Sequence, residues 1–278
     1  MLIRNKALFN KGLMLMGSFL CIFVSLFLPI WGGHGNGLDA ADNMFNRLSK
    51  GSSYFIPGVK EDALKLEGKS VTITVKVKDA AIAPRAVENL TKAGATAEFK
   101  DGAITYTGDL GKVLGASLID ADSMFNNKSD DVLQHYGITD EAALAYANEL
   151  KAAKAAGAPE AKPSEKKGAQ AEMEEAKATV AKTIVKAWWA VLDPSIKELQ
   201  KQKLIQEAKV VGQVNKRGLE PGYNFYGINS EKVLDNVLPL VGLLAFYVLY
   251  TMWYGYAIFD MFAGIGLGMS KPKTKSEA

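Results

Sequence analysis

The chain has a single cysteine, Cys21, and only two histidines, His34 and His135, among 278 residues. One thiol makes no intrachain disulfide, and so few soft ligands supply no zinc cluster, no c-type haem attachment and no Cys-His nucleophile pair. Neither a metal nor a cofactor is therefore expected. A phosphate-cradling Walker loop is also missing. GIGLGM, residues 264 to 269, follows neither a strand nor a soluble helix start, so its glycines do not make a dinucleotide fingerprint. Asp120, Asp122, Asp130 and Asp131 lie close together in sequence, but the EF-hand glycine and terminal glutamate are missing, and a helix end followed by a capped helix start accounts for them. With no linear signal for a catalytic residue, the expectation is a non-enzyme.

Charge is scarce in two places. VLPLVGLLAFYVLYTMWYGYAIFDMFAGIGLGM, Val237 to Met269, carries only Asp260, and GLMLMGSFLCIFVSLFLPIW, Gly12 to Trp31, carries none. As helices they reach roughly 50 Å and 30 Å, against a hydrocarbon core of about 30 Å. Arg4, Lys6 and Lys11 before the first run resemble the n-region of a signal peptide. A signal core, however, is only about 7 to 15 residues long, and GGHGNG after the run lacks an A-x-A-like cleavage site. An uncleaved anchor is expected.

Basic residues on the flanks set the orientation. Arg4, Lys6 and Lys11 precede the first run, and Lys271, Lys273 and Lys275 follow the second, so both tails are expected in the cytoplasm. Removing those six bases, with Asp260 and Glu277, from 33 basic and 30 acidic residues leaves 27 against 28. The intervening segment is near neutral, which speaks against a nucleic-acid partner. It is cysteine-free and long enough to bury a core without disulfides, which suits a bacterial periplasm. With tails this short, no kinase, cyclase or signalling coiled coil is expected on the cytoplasmic side.

The fold class expected is an α+β membrane protein: two transmembrane helices flanking an exported insert with a small β-α-β-β-α subdomain and a long helical region. The segments are a cytoplasmic tail over 1–11, a transmembrane helix over 12–31, a juxtamembrane helical or irregular stretch over 32–69, and the α+β subdomain over 70–127. A helical region over 128–235 with a linker at 157–168 follows, then a transmembrane helix over 236–269 and a tail over 270–278.

Within the insert, SVTITVKVKD from Ser70 alternates apolar and polar residues, as a strand with one buried face does. Pro84 opens a helix that Gly94 stops, Asp101-Gly102 turns a hairpin, and Asp109 caps a second helix. Farther on, a helix is expected from about Ala169 to Leu192, with Asp193-Pro194 restarting a second piece. Ile196, Leu199, Leu204, Ala208 and Val211 form a stripe that either folds back on the chain or meets another copy. Neighbouring Trp188 and Trp189 point about 100° apart on a helix, so either both sides are covered or one indole meets a partner.

A phrase recurs: LDAADNMFNRLS from Leu38 and LIDADSMFNNKS from Leu118. Each is read as a helix end with a Met-Phe pair, Met44-Phe45 and Met124-Phe125, before an asparagine suited to left-handed geometry. These pairs either pack inside the chain or form matched interaction surfaces. In the second apolar run, Gly264 and Gly268 share a helical face with Asp260, a small-residue face on which another helix can approach closely. An intramembrane acid there contacts a partner or water; near the lipid boundary it is interfacial.

Candidate interaction residues are thus Met44, Phe45, Met124, Phe125, Trp188, Trp189, Asp260, Gly264 and Gly268. The function expected is a membrane-anchored scaffold or accessory subunit, with the bilayer and either other subunits or copies of itself as partners. Two spans, a large outer insert and short tails also give a layout similar to that of bacterial polysaccharide chain-length regulators, although the second span holds only Pro239 where that family has a proline-rich segment. That similarity implies a homo-oligomeric organiser of polymer export; a two-span pore has the same layout.

Overall fold

A computed structural model describes residues 3–31, 35–156 and 168–267. Helix α1 spans Lys6–Ser25, capped by Asn5, whose side chain accepts from the amides of Ala7 and Leu8. It ends well short of Trp31, because Pro29 cannot continue a helix; the chain turns there, with the Trp31 indole donating to Ser25 O. Helix α2 covers Gly37–Ser52. Asn36 and Asp39 cap it reciprocally: Asn36 Oδ1 accepts from Leu38 N and Asp39 N, and Asp39 Oδ2 accepts from Asn36 N. Helix α3 runs over Ile56–Leu64.

Strand β1, Ser70–Lys76, buries Val71, Ile73 and Val75 and exposes the residues between them. Helix α4, Ala83–Lys92, has its proline in the first turn and ends before Gly94. Strands β2, Thr96–Lys100, and β3, Ala103–Asp109, form the expected hairpin. Asp101 and Gly102 both take positive φ, 51° and 76°, as a type I′ turn requires. The sheet is antiparallel with order β1-β3-β2. On its polar face Thr72 and Thr107, and Thr74 and Thr105, pair through hydroxyls at 2.9 and 3.0 Å.

Helix α5, Leu110–Phe125, starts on Asp109, whose carboxylate accepts from Lys112 N. Helices α6, Ser129–Tyr136, α7, Asp140–Ala156, α8, Ala169–Lys201, and α9, Ile205–Val214, follow. A π-helical turn over Asn215–Leu219 leads to α10, Glu220–Asn224, and α11 covers Val237–Gly264. The described residues are therefore predominantly helical with one small sheet. Among the described residues two helices are long and apolar enough to cross a membrane, α1 and the stretch Val233–Gly264 that contains α11.

The sequence expectation differs at one long element. Helix α8 continues through Pro194 for 33 residues instead of restarting there. Proline deletes one amide donor, but Ser195 Oγ donates to Val191 O at 2.7 Å and accepts from Tyr106 Oη at 3.1 Å, so packing holds the turn across the gap. The break comes instead after Lys201, where Lys203 takes φ 64°.

Two compact units divide the chain, one made of Met1–Gly51 with Ser230–Ala278, the other of Ser52–Asn229. In the second unit sheet and helices share one core. Ile73, Ile104, Tyr106, Leu114, Ile184 and Leu199 are all fully buried in it. Leu199, Ala208 and Val211 of the apolar stripe lie in this core, so the stripe folds back on its own unit.

Close backbone approaches make the glycines of α5 unequal. A Cβ on Gly111 would collide with the backbone of Glu67, whereas one on Gly115, a turn later, meets nothing within 4 Å. Gly111→Ala should therefore cost about 1–3 kcal/mol through overpacking, and Gly115→Ala should gain about 0.5–1 kcal/mol of helix propensity. Chemical unfolding of the two variants followed by far-UV circular dichroism checks the opposite signs.

Candidate functional site

The first cluster of interest surrounds Asp120. This acid lies on the buried face of α5, in step with Ser117 and Met124, and its side chain is 1% exposed. Three groups from two other helices converge on it. Trp188 Nε1 of α8 and Tyr136 Oη of α6 each donate to Oδ2 at 2.7 Å, and His135 Nδ1 of α6 lies 2.9 Å from Oδ1. Burial pushes the Asp120 carboxyl above its ordinary value, and the hydrogen bonds from Trp188, Tyr136 and His135 offset only part of that. Burial and the facing carboxylate likewise push the Tyr136 hydroxyl well up. The arrangement orients the half-buried imidazole with Nδ1 toward the acid, leaving Nε2 as its second polar atom.

Asp120's sequence neighbours go elsewhere. Asp122 accepts from Tyr54 Oη at 2.7 Å, while Asp130 and Asp140 share Lys177 at 3.2 and 3.1 Å. Among the described residues no three His, Cys, Asp or Glu side chains come together as a metal site. The signal that could have found the Asp120 cluster is an acid standing in an otherwise apolar helical stripe. Its partners lie 15 to 68 residues away, beyond the reach of any local pattern.

The second feature is the other tryptophan. Trp188 is fully buried, but Trp189 is 40% exposed and stands between two grooves of about 310 and 300 Å³. Tyr223 and Asn224 lie across the first; Ile82, Ala190 and Pro194 line the second, with Lys76 and Lys78. Lys186 reaches into both and lies 3.6 Å from Asp79.

Of the Met-Phe pairs, Met124 and Phe125 end α5 and are buried, the ring of Phe125 lying 5.2 Å from Tyr54 and 5.9 Å from Phe225. The left-handed residue is Asn127, with φ 60°, one position beyond the expected asparagine. The first copy differs. Met44 is buried and Phe45 exposed in mid-α2, which continues to Ser52 and does not end at this pair. The helix continues past Phe45 through Asn46, Arg47 and the buried Leu48 with no left-handed break, so the same phrase sits in two different local structures.

The remaining site residues lie on the α1–α11 hairpin. These helices run antiparallel: Phe9 packs at Gly264, Gly12 at Ala257 and Met261, and Phe19 against Tyr250 with ring centres 4.3 Å apart. A Cβ on Gly264 would stand 2.6 Å from Phe9 Cβ, and one on Gly12 would stand 2.8 Å from Ala257 O. The small face of α11 is thus occupied by α1 of the same chain. Asp260 is buried on that face, with Lys11 Nζ 2.9 Å from Oδ2, an ion-pair distance without hydrogen-bond alignment. Lys11 was read from sequence only as a flanking base. Its role as the partner of Asp260 follows from the antiparallel register. α11 closes with Gly266 at φ 85° and Leu267 N donating to Phe262 O; Gly268 lies outside the described residues, as does His34.

These features define a predominantly helical unit built on a small antiparallel sheet, together with a hairpin of two long apolar helices. Comparison with protein families, curated proteins and solved structures finds no match to this chain.

Removing the Asp120 carboxylate leaves two buried donors without an acceptor, so Asp120→Ala should lose about 2–5 kcal/mol of stability. A carboxyl raised in the folded state stabilises folding below its ordinary value of 3.8, and that contribution is lost as pH climbs through the raised value. Asp120→Asn lacks this slope, so the wild type should lose ground to the Asn variant as pH climbs above 3.8. Thermal unfolding monitored by tryptophan fluorescence across that rise in pH tests both effects.

Proposed function

We propose that the chain is a two-pass membrane protein that works as a non-enzymatic scaffold or accessory subunit, with both termini cytoplasmic and the unit around the sheet exported. The observation that carries this reading is the antiparallel packing of two helices, each long and apolar enough to span a bilayer, around the Lys11–Asp260 pair. An unpaired carboxylate in hydrocarbon is costly, and a lysine one helix away offsets that cost while fixing the register. Antiparallel spans put both chain ends on one side, and Lys/Arg flanks at both ends favour the cytoplasm. For the exported unit, the exposed Trp189 between two grooves supplies the kind of aromatic anchor that partner surfaces use. Its partners in this reading are other membrane-complex subunits.

Extraction of native membranes in mild detergent, followed by particle mass and protein content, tests the proposal. Reproducible additional polypeptides, lost on Trp189→Ala, are expected. A particle holding this 30.0 kDa chain alone in integer multiples would replace the accessory-subunit reading with self-assembly. The ion pair gives a separate test. Lys11→Ala strands the carboxylate and should cost about 3–5 kcal/mol, and adding Asp260→Ala should recover most of it. Yield in the membrane fraction and melting temperature in detergent are the readouts; equal damage in single and double variants would remove the pair from the account.

A further inference from the structure

One groove lies along the outside of the α1–α11 hairpin. Its volume is about 460 Å³, and Lys11, Leu15, Leu249, Met252, Trp253 and Tyr256 line it. The four α11 residues are spaced i, i+3, i+4 and i+7, so they form a single stripe two turns long, roughly 10 Å. Antiparallel packing orders the groove. Trp253 donates through Nε1 to Leu15 O at 3.1 Å in its middle, Lys11 and Tyr256 stand at one end, and Leu249 stands at the other.

Polar chemistry is confined to the Lys11 end. The Lys11 side chain is 62% exposed although its ammonium touches Asp260, and an ammonium carries three donors. The Tyr256 side chain is exposed beside it. Beyond them the walls are alkyl and indole. The polar end is also the one nearest Arg4 and Lys6 in the chain, so positive charge gathers there. A second apolar helix laid in this groove would desolvate the Lys11 ammonium against hydrocarbon. A ligand with a hydrocarbon tail and an anionic head satisfies both ends.

We propose that this groove binds one anionic phospholipid, its acyl chain along Leu15, Met252 and Leu249 and its phosphate at Lys11 and Tyr256. The inference rests on the membrane reading above.

Brominated acyl chains quench a tryptophan they touch, and Trp253 lies in the groove wall. The full chain carrying Trp31→Phe is reconstituted into phosphatidylcholine vesicles in which one fifth of the lipid is brominated, either as phosphatidylglycerol or as phosphatidylcholine. About five-fold enrichment of the anionic lipid at Trp253 is expected, the factor that one lysine's contribution of about 1 kcal/mol gives. Lys11→Gln with Asp260→Asn, which neutralises both partners and strands neither, should abolish the preference while leaving quenching by zwitterionic lipid intact. Trp253→Phe should remove the lipid-selective signal. Equal quenching by the two brominated lipids in the parent protein overturns the lipid site. A chain that does not float with the vesicles and is quenched by neither overturns the membrane reading itself.

Discussion

The buried carboxylate of Asp120 is the constraint on which the larger unit depends. A single oxygen atom, Oδ2, accepts from the Trp188 indole and the Tyr136 hydroxyl, and the other meets His135. These contacts tie α5 to α6 and α8, the long helix whose apolar face covers the sheet. An acid taken from water is retained at such a site only where donors satisfy it, because the desolvation penalty of a lone buried carboxylate exceeds what packing alone returns. The network therefore fixes not only contacts but also the rotation of α5, since turning the helix by one residue would separate Asp120 from all three groups.

A second polar contact plays the corresponding part in the hairpin. Apolar helices slide past one another at little cost, because one hydrocarbon contact is much like the next. Lys11 with Asp260, and the backbone contacts allowed by Gly12 and Gly264, select one register among these. Arg4 N and Asn5 N both donate to Gly264 O at 2.9 Å, closing the end of the pair. The hairpin's single buried charge is then a positional device, and its partner's exposed ammonium gives the adjoining groove a polar end.

Much of the local structure was legible beforehand because it rests on short-range rules. The alternation in SVTITVK set a half-buried strand, Asp101-Gly102 set the hairpin, Asp109 set the start of α5, and uncharged length marked both apolar helices. Pro194 was misleading for a physical reason: the cost of one missing amide hydrogen bond is smaller than the burial gained by keeping Val191, Ser195 and Leu199 on one continuous face. Pro29 acted as a breaker where no such burial competed. The repeated Met-Phe phrase misled in the same way, for a short motif carries no information about whether the helix around it continues.

The amino-acid sequence by itself determined the strand and turn positions, the starts of α4 and α5, the presence of two apolar helices and the scarcity of metal-binding side chains, all of which follow from neighbours within a few residues. Tertiary structure alone decided that Asp120 gathers Trp188, Tyr136 and His135, that Trp188 is buried while Trp189 is not, and that the lone acid of the second apolar run faces Lys11 of the first. Each of those outcomes depends on which faces of distant helices meet. That is set by the packing of the whole core, to which every residue contributes a little and no short stretch contributes enough.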